Sequence, residues 1–113
     1  MRSDGKIDYV EFPAGDLGRT QAFYREAFGW SFVDYGPTYA AFAEGVDGGF
    51  QADAAEQPKA PLVVLYADDL EATLAKVRAG GGEIVKPIFA FPGGRRFHFR
   101  DPSGNELAVH TAG

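Results

Sequence analysis

"DLGRTQAFYREAFG", residues 16–29, and "DLEATLAKVRAGGG", residues 69–82, are two spellings of one element. Each opens on Asp-Leu, continues with apolar side chains at helical spacing and ends in glycine. Leu17, Thr20, Tyr24, Ala27 and Phe28 form the first stripe, and Leu70, Leu74 and Val77 the second. Residues three and four apart share one face of a helix, so both stretches predict amphipathic helices. The aspartates suit the N-cap, where a carboxylate accepts an orphan backbone N–H, and the glycines suit the stop. The two Asp-Leu pairs are 53 residues apart, and Gly29 and Gly82 keep the same separation. That period predicts an internal duplication.

The flanks repeat as well. "KIDYVEF" alternates before the first helix, and "WSFVDY", "TYAAFAE" and "GFQA" follow it, separated by Gly36-Pro37 and "GVDGG". "PLVVLYA" precedes the second helix, and "EIVKPIF", "RRFHFRD" and "NELAVHT" follow it. β-rich runs bounded by turn residues read as strands, giving the order βαβββ twice, an α+β fold. The expected organisation is one domain over residues 1–113, with a first module over about 6–52, a linker over about 53–60 and a second module over about 61–111. "DPSGN", 101–105, reads as a turn, and "FPGG", 91–94, as a flexible rim.

Composition narrows the function classes. With 45% hydrophobic residues and ten Phe, the chain can build a packed core. There are no cysteines, which removes disulfides, thiolate catalysis and sulfur-ligated zinc. The net charge of −5, with no long basic run, argues against nucleic acid. No apolar run approaches the roughly 20 residues of a membrane span, and the first residues lack a signal peptide's apolar core, so a cytoplasmic protein is expected.

"IDYVEFPAGDLGRTQAFYREAFGW" at the start and "FPGGRRFHFRDPSGNELAVHT" at the end resemble the vicinal oxygen chelate superfamily, which holds glyoxalase I, extradiol dioxygenases and bleomycin-resistance proteins. The resemblance implies a curved mixed sheet from both modules around a concave cavity, helices on the convex faces, a homodimer, and in many members a divalent metal beside the substrate. Its metal positions fall here on Tyr9, Leu62, Ala108 and a residue within Phe50 to Ala52. Leu and Ala donate nothing to a cation and a neutral Tyr is a weak ligand, so the usual metal site is not expected and no cofactor is assigned.

Strand alternation supplies the candidates that remain. Val10, Phe12, Phe97, Phe99, Leu107 and Val109 alternate with Tyr9, Glu11, Arg96, His98, Arg100, Glu106, Ala108 and His110. With period 2, one set covers the helices and the other lines the cavity. His98 and Glu11 are the candidate acid/base residues, since imidazole titrates near neutrality and a lone carboxylate on an apolar strand needs a purpose. Tyr9, Arg96, Glu106, His110 and the flat ring of Trp30 are candidate ligand contacts. A displaced metal drawn from Glu11, His98, Glu106 and His110 stays open. So do three functions: a glyoxalase-like or bleomycin-resistance-like small-molecule binder, a lyase or isomerase acting beside a carbonyl, and a ligand-free structural or regulatory dimer.

Overall fold

The computed structural model describes residues 2–112. Its elements run β1 (Ile7–Pro13), α1 (Leu17–Phe28), β2 (Val33–Asp34), β3 (Tyr39–Glu44), β4 (Val46–Gln51), β5 (Leu62–Tyr66), α2 (Leu70–Ala79), β6 (Glu83–Phe91), β7 (Gly94–Arg100) and β8 (Glu106–Ala112). The βαβββ order occurs twice, and the fold is α+β. The chain divides into two compact units, the first Tyr9–Leu62 and the second the residues up to Asp8 with those from Val63 onward.

In the first unit β1 pairs parallel with β4, while β4 with β3 and β3 with β2 are antiparallel. A parallel pair needs a crossover, and α1 lies in it. The Asp16 carboxylate accepts the Arg19 N–H at 3.0 Å, and Gly29, at φ 73°, closes the helix with its N–H on the Arg25 carbonyl. Only glycine adopts that φ without a steric penalty. Leu17 and Tyr24 of α1 pack on a cluster of Ala14, Phe42 and Phe50 joined by Phe12, Trp30 and Phe32. Phe12 therefore faces the helix. Tyr9 and Glu11 point to the other face, where Glu11 stands opposite Gly49.

Two strand assignments change. "GVDGG" is not a separator: the turn is confined to Gly45, at φ 102°, and β4 runs through Gly48 and Gly49. A Cβ on Gly48 would fall 2.7 Å from Phe42 Cε1 and collide with the Val10 carbonyl oxygen, and one on Gly49 would fall 2.6 Å from Tyr39 Cε1. These glycines are strand residues kept small because rings and backbone lie directly on them. "WSFVDY" shrinks to the two residues of β2, because Trp30 and Phe32 leave the strand for the aromatic cluster.

In the second unit β5 pairs parallel with β8, and β8, β7 and β6 follow antiparallel. α2 is capped by Asp69, whose carboxylate accepts the Ala72 N–H at 3.0 Å, and it buries Leu70 against Ala67, Phe97 and Val109. Phe99, Ile84 and Ile88 pack on this cluster. The N-terminal segment joins the unit through Gly5 N–H to the Tyr66 carbonyl, 2.8 Å, and Tyr66 N–H to the Lys6 carbonyl, 3.0 Å.

β6 departs from simple alternation. Its register with β7 shifts between Ile84 and Lys86 and again between Lys86 and Phe89, the second interval containing Pro87. The extra residues send Ile88 to the helix-side core and bring Phe89 opposite Arg96. "FPGG" forms the tight β6–β7 turn. Phe91 pairs with Gly94 across a turn of only Pro92 and Gly93. "DPSGN" is the expected turn, with the Asp101 carboxylate accepting the Ser103 and Asn105 N–H groups at 2.9 Å and Gly104 at φ 91°. No helix among the described residues is long and apolar enough to cross a membrane.

Candidate functional site

The face of the second unit's sheet opposite α2 gathers four of the sequence-named residues. Arg96 stands opposite His110, His98 opposite Ala108 and Arg100 opposite Glu106 in the β7–β8 ladder, so by alternation Arg96, His98, Glu106 and His110 share that face. His98 is 3% exposed. Its Nδ1 lies 3.1 Å from Glu106 Oε2, and its Nε2 is buried with no hydrogen-bond partner among the described residues. Burial pushes the His98 pKa below the ordinary histidine value; the Glu106 hydrogen bond opposes this, and the charges of Arg96 and Lys86 add to it. The ring is therefore neutral at pH 7. Its Nδ1–H donates to Glu106, which leaves Nε2 as a bare acceptor.

Beside it, His110 is 6% exposed and its Nε2 lies 2.7 Å from Asp8 Oδ2. Arg2 Nε also reaches Asp8 Oδ2, at 3.5 Å. The Arg96 guanidinium lies over two rings, with Cζ 5.3 Å from the Phe89 centroid and 5.2 Å from that of Phe91. Phe89 also packs 5.8 Å from the His98 ring. The face thus presents a neutral imidazole acceptor, a cation held over aromatic rings and a histidine tied to a carboxylate.

The first unit carries the other polar face, opposite α1. Tyr9 and Tyr39 hydroxyls share a hydrogen bond of 2.5 Å, beside the buried carboxylate of Glu11, 5% exposed. Burial pushes the Tyr9 phenol above its ordinary value; the Tyr39 hydrogen bond works against this, and the charges of Glu11 and Asp47 add to the rise. The Tyr9 phenol is protonated at neutral pH. Trp30 does not join this face: it stacks on Tyr24, with centroids 4.7 Å apart, in the helix-side cluster. An open groove on that helix side, lined by Phe12, Asp16, Arg19, Phe23, Phe50 and Pro61, brings together few polar groups. Its one carboxylate caps α1.

Asp8, Phe89 and Phe91 were missed by alternation. Asp8 is brought to His110 by a contact across 102 residues of sequence, which alternation within one strand does not reveal. Pro87 was the available signal for the other two, because proline inside a strand marks an outer strand or a bulge, and either resets the count.

The positions at which the resemblance places metal ligands do not fit a metal here. Leu62 and Ala108 are buried and apolar, the Tyr9 hydroxyl bonds to Tyr39, and Gln51 Oε1 accepts the Asp53 N–H at 2.9 Å. No group of three His, Cys, Asp or Glu among the described residues is arranged to hold a cation.

The doubled βαβββ topology agrees with the comparisons to known proteins. The chain belongs to the glyoxalase/bleomycin resistance protein/dioxygenase superfamily, whose family model matches residues 6–109. It is 30% identical to a glyoxylase-like domain-containing protein of Didymella fabae, over 95% of this chain and 94% of that one. Its fold is similar to methylmalonyl-CoA epimerase of Mycobacterium tuberculosis, TM-score 0.72 at 14% identity, covering 100% of this chain and 91% of that one. It is also similar to the Mn(II)-bound glyoxalase of Novosphingobium aromaticivorans, TM-score 0.67 at 23% identity, covering 98% of this chain and 40% of that one.

Proposed function

We propose that this chain is a small-molecule-binding member of its superfamily that engages its ligand without the usual metal, through His98. The observation that supports this is the buried Nε2 with no partner, on a ring whose other nitrogen is anchored to Glu106. Leaving a buried acceptor unsatisfied costs about 1–3 kcal/mol. A ligand bringing an O–H or N–H to Nε2 recovers that cost. Phe89, only half-buried and packed against the imidazole, is the side chain that swings aside to admit it. Arg96 and His110 contact the polar rim of the ligand.

The same nitrogen supports a second reading, a lyase or isomerase acting beside a carbonyl. A neutral imidazole backed by a carboxylate can take up a proton, and Glu106 then stabilises the imidazolium that forms. In either reading the protein is a homodimer, for which the support is α1: it has no buried residue and leaves Phe23 and Phe28 more than half exposed.

Thermal-shift screening in EDTA against a library of hydroxyl- and amide-bearing small molecules tests the binding reading, since a ligand selective for the folded state raises its stability. The expected result is a set of stabilising compounds whose effect disappears in His98→Ala. Stabilisation that survives in His98→Ala, or that appears only when EDTA is left out, would refute it.

A further inference from the structure

Helix α1 carries charges in the wrong places for a helix that stands alone. Arg19 lies in its first turn and Glu26 in its last, each at the end whose partial charge has its own sign. Neither has an ion pair among the described residues. The helix's other long polar side chains are used within the unit: Gln21 Nε2 donates to Asp34 Oδ1 at 2.7 Å, and Arg25 lies over Phe32, with Cζ 6.0 Å from the ring centroid. Between Arg19 and Glu26 stands Phe23, 56% exposed, its ring lining the groove with Phe12, Phe50 and Pro61. Positions 19, 23 and 26 are spaced by four and then three, so the three side chains form one stripe along one flank of α1.

That stripe is complementary to itself run backwards. A two-fold axis crossing α1 midway between Ala22 and Phe23 leaves Arg19 and Glu26 each 3.5 residues from the axis. Arg19 then meets the partner's Glu26, and Glu26 meets the partner's Arg19. Phe23 lies against the partner's Ala22, whose methyl leaves room for the ring. Two ion pairs thus flank two rings that lose their contact with water. We infer that α1 pairs antiparallel with α1 of a second copy of this chain, through Arg19, Phe23 and Glu26. This names the face that the homodimer uses, and it rests on the homodimeric reading. One 12-residue helix against its own copy is a small contact, so the association is concentration-dependent rather than permanent.

Sedimentation velocity over a concentration series reads the association directly. Wild type is expected to dimerise, and less tightly as salt rises, because exposed charges are screened. Arg19→Glu and Glu26→Arg each turn both attractions into repulsions, and at the usual strength of exposed pairs each weakens self-association about 30-fold. Both reversals set charge with the helix dipole instead of against it, so lost association is not a lost helix. The decisive arm mixes the two variants. One carries two anions around Phe23 and the other two cations, so an equal mixture forms a heterodimer of nearly wild-type strength, and the double variant Arg19→Glu, Glu26→Arg pairs with itself again. A variant that had failed to fold would not be rescued in this way. A dimer that persists unweakened in both single variants keeps the homodimeric reading and overturns this face, as does a mixture that associates no more tightly than its components. Wild-type protein that stays monomeric throughout overturns both.

Discussion

Gly48 and Gly49 are neighbours in β4, yet alanine should be tolerated at one and not at the other. At Gly48 the added methyl collides with the Val10 carbonyl oxygen, which is backbone of the paired strand β1, as well as with the Phe42 ring. Backbone in a ladder cannot step aside without breaking its own hydrogen bonds, so Gly48→Ala belongs at the upper end of the overpacking range, about 3 kcal/mol. At Gly49 the methyl meets only the far end of Tyr39, a side chain that can rotate. Its cost is about 1 kcal/mol, partly offset by the unfolded-state freedom that alanine removes, about 0.4–1 kcal/mol. Unfolding entropy of about 2.1 cal/mol/K per residue over 113 residues makes 1 kcal/mol worth about 4 °C. Gly48→Ala should therefore melt about 12 °C below wild type, and Gly49→Ala within about 4 °C of it. Circular dichroism melts, with a check that unfolding is reversible, measure both. Equal losses at the two positions, or a Gly48→Ala protein melting within about 4 °C of wild type, would refute the β1–β4 register and the placement of "GVDGG" inside a strand.

Phe97 has no exposed surface in the α2 cluster, so Phe97→Ala should cost about 3–5 kcal/mol, read as a lower urea midpoint at unchanged slope. His98 is held neutral in the folded state, and its folded pKa lies below the unfolded value of about 6.5. Below pH 6.5 the unfolded chain therefore takes up a proton that the fold refuses, and stability falls as pH drops through that window. His98→Gln should flatten this part of the stability–pH curve measured by urea unfolding at a series of pH values. Asp69→Ala removes the cap of α2 and should cost about 1 kcal/mol, with amide exchange accelerating first at Ala72. Asp8→Ala leaves the buried His110 Nε2 without its partner, for a loss of about 1–3 kcal/mol in the same assay.

The fold was legible because its signals are local and repeated. Asp16 and Asp69 cap their helices through side-chain geometry that needs no distant partner, and Phe97, Phe99 and Val109 face α2 as period-2 alternation requires. Local signals failed where a distant contact decided the outcome. "GVDGG" has turn composition, but Gly48 and Gly49 are small because Phe42, Tyr39 and β1 need the space, which no window of neighbouring residues reveals. The candidate site behaved in the same way. Alternation placed Arg96, His98, Glu106 and His110 on one strand face, yet the partners of the two histidines differ in kind. Glu106 lies 8 residues from His98 in the adjoining strand, within reach of hairpin reasoning, whereas Asp8 lies 102 residues from His110. Trp30 looked like a stacking surface for a ligand because aromatic rings in sequence carry no direction; its placement beside Tyr24 was settled by where the chain turns after Gly29.

The irregular course of β6 has a consequence for how the protein behaves in crowded solution. β6 is the outer strand of the β8–β7–β6 meander, and a long, straight strand there would offer its free backbone groups to any passing chain. Pro87 has no N–H to offer, and the two register shifts of β6 break the row of donors and acceptors into short pieces. A deviation that brings Phe89 alongside Arg96 therefore also makes this edge a poor template for the stacking of chains that begins fibril growth.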